Sequence, residues 1–325
     1  MLSDQNTYLK FIKSLRIEEI IGLVFILPTL LIRLYSLSGL SHSNEIQSMG
    51  SEEDLWWIGF ISILIIWFYT ALRIKPETKT FKVIRDFAPF LFVIAIFANI
   101  QIFIFLINPH DFHFVLAELE AWMFGLQPTV WLEKFTHPIL TEWFSFSYMS
   151  FYWITLVLLI VLYSKKQEEA FRTTMFTMII SYYLGFVGYL LFPAASPYLV
   201  IPDLYSVDIW ENSSYLSKAV RAVVELSPER TRDAFPSMHN SITLLTMIMA
   251  WRYKRVIFWL LLPLALSLPI ATLYLRYHFA VDIIAGVGIT FLAMYIAPLL
   301  ENWWSEVQKG QGLLQRTEKS MEVEA

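Results

Sequence analysis

Residues 256–275 read VIFWLLLPLALSLPIATLYL, twenty consecutive positions without a charge. That is the length of apolar helix needed to cross a bilayer, ~20 residues. The run is bracketed by WRYKR at 251–255 and by RYHFAVD at 276–282. Further apolar runs lie at about 19–38, 55–73, 87–107, 142–163, 172–192, 237–252 and 278–300, their ends read to within roughly 2–4 residues. Polar-interrupted stretches separate them at 39–54, 108–141 and 193–236. Of the 325 residues, 57% are hydrophobic and only 16% charged, and the mean hydropathy is +0.54. A soluble domain has roughly 45–50% apolar and about 25% charged residues. The balance excludes a disordered chain and, with a formal charge of −4, a nucleic-acid partner. The expected fold class is all-α: a polytopic membrane protein of about eight spans. The absence of cysteine removes disulfides, thiol nucleophiles and Cys-ligated metals.

Basic residues set orientation. Lys10, Lys13 and Arg16; Arg73, Lys75, Lys79, Lys82 and Arg85; Lys165, Lys166 and Arg172; and Arg252, Lys254 and Arg255 fall in alternate inter-span segments. In the intervening segments 39–54 has no Lys or Arg, 108–141 has only Lys134, and the long 193–236 stretch has Lys218, Arg221, Arg230 and Arg232. The first set is therefore expected to be cytoplasmic, with both termini inside. The polar first 18 residues and the lack of a small-residue cleavage site argue against a removable signal peptide. The organisation expected is a two-span addition over 1–86, a catalytic membrane domain over 87–300 and a charged, fraying cytoplasmic tail over 301–325.

Two motifs carry chemistry. AFPSMHN at 234–240 combines Pro236, suited to a first helical turn, with Ser237 as a cap and His239 one turn in. Unpaired N–H groups at such a helix start form an anion site. YLRYHFAVD at 274–282 places His278 and Asp282 four apart, on one helix face. The carboxylate can hold one imidazole nitrogen and leave the other free to attack. By the span assignment both motifs lie at helix ends on the non-cytoplasmic side. Together they suggest phosphoryl transfer through a phosphohistidine.

PSMH at 236–239 and H-x3-D at 278–282 resemble the second and third signatures of the type 2 phosphatidic acid phosphatase superfamily. The family pattern is PSGH followed by SR-x5-H-x3-D. The resemblance implies His278 as nucleophile, Asp282 as its orienter, His239 as the acid for the leaving group and Ser237 as a phosphate holder. It also marks departures. The family glycine is Met238, and the family Ser-Arg pair falls on Ala271 and Thr272. The first signature, K-x6-RP, would place its Lys on Gly185 and its Arg on Phe192, ending at Pro193. GYLLFPAASP at 188–197, TLYLRYHFAVD at 272–282 and FGLQPTVWLEKF at 124–135 are similar to elements of fungal inositol phosphorylceramide synthases and their bacterial relatives. With three family cations absent, Arg276, Arg232 and Arg230 are the nearest candidates by position to neutralise a phosphate.

Other features have plainer readings. His42, His110, His113 and His137 fit a solvated membrane border, and NPHDFH at 108–113 is too sparse in ligands to imply a metal. Pro193 and Pro197 suit the end of a span. Residues 213–226 have the spacing of an amphipathic helix on the bilayer surface, or a lid. The expected function is an integral membrane lipid phosphotransferase or phosphatase acting on a phospholipid or lipid phosphate at the outer face. No metal or organic cofactor is required by that scheme. A plain phosphatase using water and a lipid transporter or non-catalytic scaffold are the alternatives.

Overall fold

The computed structural model describes residues 15–37, 51–73, 79–211, 213–224 and 232–324. Arg230 and His42 lie outside the described residues. Among the described residues the regular secondary structure is helical, joined by turns and irregular segments, with one isolated parallel bridge between Ala194 and Asp233. The helices are α1 (Ile17–Leu37), α2 (Ser51–Arg73), α3 (Lys79–Phe97), α4 (Ile100–Ile107), α5 (His113–Phe124), α6 (Pro138–Ser164), α7 (Glu168–Leu191), α8 (Tyr215–Val224), α9 (Met238–Tyr253), α10 (Arg255–Tyr274) and α11 (Ala280–Glu324), with short turns of helix between. Four of them contain stretches long and apolar enough to span a membrane: Pro138–Ser164, Glu168–Leu191, Arg255–Tyr274 and Ala280–Lys309. The polytopic all-α expectation therefore holds.

Two readings change. The expected run 87–107 is divided by a turn at Ala98 and Asn99. The Asn99 side chain donates to the Ala95 carbonyl at 2.7 Å, competing with the helical ladder at that point. The segment after 300 continues α11 to Glu324.

The chain divides into two compact units, 1–99 with 294–325, and 100–293. In the first, α1, α2 and α3 pack together. Gly22 lets the Phe92 ring approach so closely that a Cβ would sit 2.6 Å from its Cδ2. Buried Glu19 receives Arg85 at 2.6 Å, and Arg16 reaches Asp86 at 2.7 Å.

In the second unit, α6, α9 and α10 pack on one another, with α7 against α6 and α9. Hydroxyls stitch the apolar helices: Thr155 to Thr246 at 2.7 Å, Ser181 to Ser241 at 2.9 Å, Ser241 to Thr290 at 3.1 Å, and Ser147 to the Leu264 carbonyl at 2.9 Å. Such pairs satisfy polar groups where lipid offers no partner. Within the amphipathic stretch 213–226, Tyr215–Val224 form a helix, α8, and residues 225 and 226 lie outside the described residues. α8 packs on α6, where Glu142 accepts from Ser214 N–H at 2.6 Å and Ser217 Oγ at 2.5 Å.

Candidate active site

The site forms where the starts of α9 and α11 meet. α10 ends at Tyr274, and Arg276 turns the chain at φ +65°. The N–H groups of Tyr277 and His278 then both return to the Thr272 carbonyl, at 3.0 and 3.1 Å. This closed turn delivers His278, 4% exposed, to the interior. Its Nδ1 lies 3.3 Å from Asp282 Oδ2, and its Nε2 lies 3.3 Å from His239 Nδ1. Asp282 is fully buried, and its Oδ2 also accepts from Phe279 N–H at 2.8 Å. The two side chains meet, but not on one helix face as expected: His278 lies in the bend before α11, and only Asp282 is on that helix.

Ser237 is the N-cap residue of α9, but its side chain makes no capping bond. Its Oγ instead accepts from Asn240 Nδ2 at 2.9 Å, and its N–H donates to the Asp282 carbonyl at 3.0 Å. Pro236 stands just before that cap rather than inside the first turn, because the Ser237–Asp282 bond fixes where the helix begins. The His239 ring stacks on Tyr148 at 4.5 Å and touches Phe151 at 4.3 Å. Its Nε2 is buried with no partner among the described residues. His278, His239, Asp282 and Ser237 are therefore brought together.

Gly185 and Met238 are neighbours in space. A Cβ built on Gly185 would lie 2.2 Å from Met238 Sδ. The methionine fills the volume that a side chain at 185 would need. Thr272, buried where the family has arginine, accepts from Asn240 at 3.3 Å and donates to the Pro269 carbonyl at 2.8 Å. Where the family carries cations at 185 and 272, this chain therefore has packing and a hydroxyl network.

Both described arginine candidates are engaged by carboxylates. Arg276 Nη2 donates to Glu133 Oε1 at 2.8 Å and to the Val207 carbonyl at 2.6 Å, and its guanidinium lies over the Tyr205 ring at 3.9 Å. Its Nε is buried with no acceptor among the described residues. Arg232 donates to Asp111 Oδ1 from Nε at 2.6 Å and to the Pro109 carbonyl at 2.7 Å.

Two acidic residues at the site were not singled out from the sequence. Asp233 holds the parallel bridge with Ala194 that ties the 188–197 element to AFPSMH. Burial raises the pKa of its carboxyl. Glu120 on α5 is fully buried, and Oε1 accepts from Ala280 N–H. Burial, with the charge of Asp282 adding to it, pushes the Glu120 carboxyl up to about 7. Its sequence signal is the position itself: with Leu116 and Ala117 it lies on the buried stripe of α5, whereas Glu118 is exposed.

A family profile described as the PAP2 superfamily matches residues 115–296. No characterised protein and no solved structure matches the chain.

Proposed function

Because the chain belongs to the PAP2 superfamily, we propose that it transfers the phosphoryl or phospho-head group of a membrane lipid through a covalent adduct on His278. The observation that carries the reading is the His278 ring, held by Asp282 at Nδ1 while Nε2 faces His239. Asp282 fixes the tautomer, so the lone pair is on Nε2. In the first step, Nε2 forms a bond to phosphorus as the lipid oxygen leaves. His239 gives that oxygen its proton. In the second step, an acceptor hydroxyl loses its proton to His239 and displaces the phosphate from the ring. In-line displacement needs acid and nucleophile on opposite sides of phosphorus. Substrate entry must therefore push the imidazoles of His278 and His239 away from their 3.3 Å contact.

Charge on the phosphoryl oxygens is met by the first-turn N–H groups of α9, which Ser237 leaves uncapped. Arg276 adds its buried Nε–H, and Arg232 joins it when its ion pair with Asp111 opens. We expect Arg276→Ala and Arg232→Ala each to lose turnover at low substrate by roughly 10-fold, measured as kcat/KM. Full turnover at low substrate in both would remove them from the phosphate site.

The acceptor is read as another hydroxyl rather than water. Support comes from the resemblance of 188–197 and 272–282 to the inositol phosphorylceramide synthase branch, and from Met238 and Thr272 standing where the phosphatases carry Gly and Arg. The charge pattern supports an outer-face site with both termini cytoplasmic. Purified protein in vesicles of radiolabelled phosphatidic acid and phosphatidylinositol tests the scheme. A new labelled lipid identifies a transferase, and label released as water-soluble phosphate identifies a hydrolase. Neither product would leave a transporter or scaffold.

A further inference from the structure

The start of α11 has an unusual cap. Its N-cap position is Phe279, a residue with no polar side chain, so the first N–H groups must be met from elsewhere. Asp282 reaches back from the third helical position to Phe279 N–H at 2.8 Å, which is half of a capping box. The next donor, Ala280 N–H, is taken by Glu120 from a different helix. Leu116 and Ala117, on the same face of α5, pack in one apolar cluster with Phe279 and Val281, the residues on either side of Ala280. α5 is therefore seated on this turn by two kinds of contact, apolar and polar.

The arrangement bears on the nucleophile because Asp282 has competing claims. Its Oδ2 already serves both Phe279 N–H and His278 Nδ1. Its Oδ1 is buried with no partner among the described residues, and so is Glu120 Oε2. Without Glu120, Ala280 N–H would be a part-buried donor with no acceptor among the described residues. Leaving such a group unpaired is expensive. The nearest carboxylate in sequence that could satisfy it is Asp282, two residues on. Turning Asp282 toward that donor draws its oxygens away from the imidazole.

We infer that Glu120 is a positioning residue of the reaction: it caps the helix that carries Asp282 and so keeps that aspartate committed to His278. The inference rests on His278 being the nucleophile, and it concerns a residue that never touches the substrate. What matters is an oxygen acceptor at Glu120 Oε1. An amide at the same place supplies one, and a methyl group does not.

The test uses the full chain in vesicles of radiolabelled phosphatidic acid and phosphatidylinositol, with kcat and KM measured separately. Glu120→Ala is expected to lower kcat by about 10–100-fold, the usual effect of losing a group that orients a catalytic ligand, and to leave KM within about threefold. Glu120→Gln is expected to keep kcat within about threefold of the parent. If Glu120→Ala does not accumulate, Glu120→Asp, one methylene short of Ala280, takes its place with the same expected loss. Parental kcat in the truncated variant, a loss confined to KM, or a glutamine variant as impaired as the alanine one would each overturn the inference. His278→Ala run alongside separates the two readings. If that variant stays active, the nucleophile assignment is wrong. If it is dead while the Glu120 variants match the parent, only the role of Glu120 is wrong.

Discussion

Replacing His278 with Ala is expected to lower turnover by roughly 10³–10⁶-fold, the range seen when a covalent nucleophile is removed. The ring touches both Asp282 and His239, at 3.3 Å each. Its loss removes the attacking atom and the path by which the carboxylate acts. The fold should survive, because Asp282 keeps its bond from Phe279 N–H and the turn at 272–278 is closed by backbone bonds to the Thr272 carbonyl. KM should therefore stay near the parent value. The parent should also yield an acid-labile phosphoprotein on brief mixing with labelled lipid, and the variant should yield none. His239→Ala serves as the contrast. The nitrophenolate of a nitrophenyl phosphodiester leaves without needing a proton, so the first-step burst of nitrophenolate should be largely restored in the His239 variant and absent in the His278 variant. An alanine variant at 278 that turns over like the parent would undo the assignment.

Local chemistry was legible and long-range packing was not. The His278–Asp282 pair was legible from its spacing, but not as one helix face: α11 begins at Ala280, and Asp282 in its first turn meets His278 in the bend before the helix. The start of α9 follows from PSMH, with Ser237 at the N-cap. Ser237 as a plain cap did not follow, because Asn240 and Asp282, one from each helix, claim its oxygen and its N–H. Gly185 and Met238 read in the sequence as two separate departures from a family pattern. In space they are one exchange of volume between helices, with Met238 Sδ lying where a Cβ at 185 would be. Glu120 was missed because its partner is a backbone N–H 160 positions away, and no periodicity reports that. The carboxylates on Arg276 and Arg232 were hidden likewise: Glu133 and Asp111 are remote in sequence and come close only through the fold. The break at Asn99 inside an apolar run reflects one side chain taking a carbonyl from the helical ladder.

Gly286→Ala should be the most damaging single methyl group in the second unit. A Cβ there would lie 2.4 Å from the Ser237 carbonyl oxygen, 3.3 Å from its carbon and 3.5 Å from Ser241 N. All three are backbone atoms at the start of α9, so no side chain can swing aside, and the helices must separate. One turn further along α11, Thr290 bonds Ser241 on the same seam, donating to its carbonyl at 3.0 Å. The seam also carries the Ser237 N–H bond to the Asp282 carbonyl, at 3.0 Å, which sets the register of α9 and α11, the helices of the candidate site. Overpacking of this kind destabilises by typically ~1–3 kcal/mol, read as a lower midpoint in thermal unfolding in detergent. The effect on chemistry should be larger than that loss implies. His239 rides on α9, while Asp282 rides on α11 and steers His278. A displacement of ~1 Å between reacting groups lowers rate by about 10²-fold. The expected result is kcat down by that order at a temperature where the variant is still folded. Gly288, two residues on, has nothing within 4 Å of its built Cβ. Gly288→Ala should therefore leave kcat within about twofold, and a helix normally gains from such a change. Equal activity in the two alanine variants would show that the α9–α11 contact does not set the catalytic geometry.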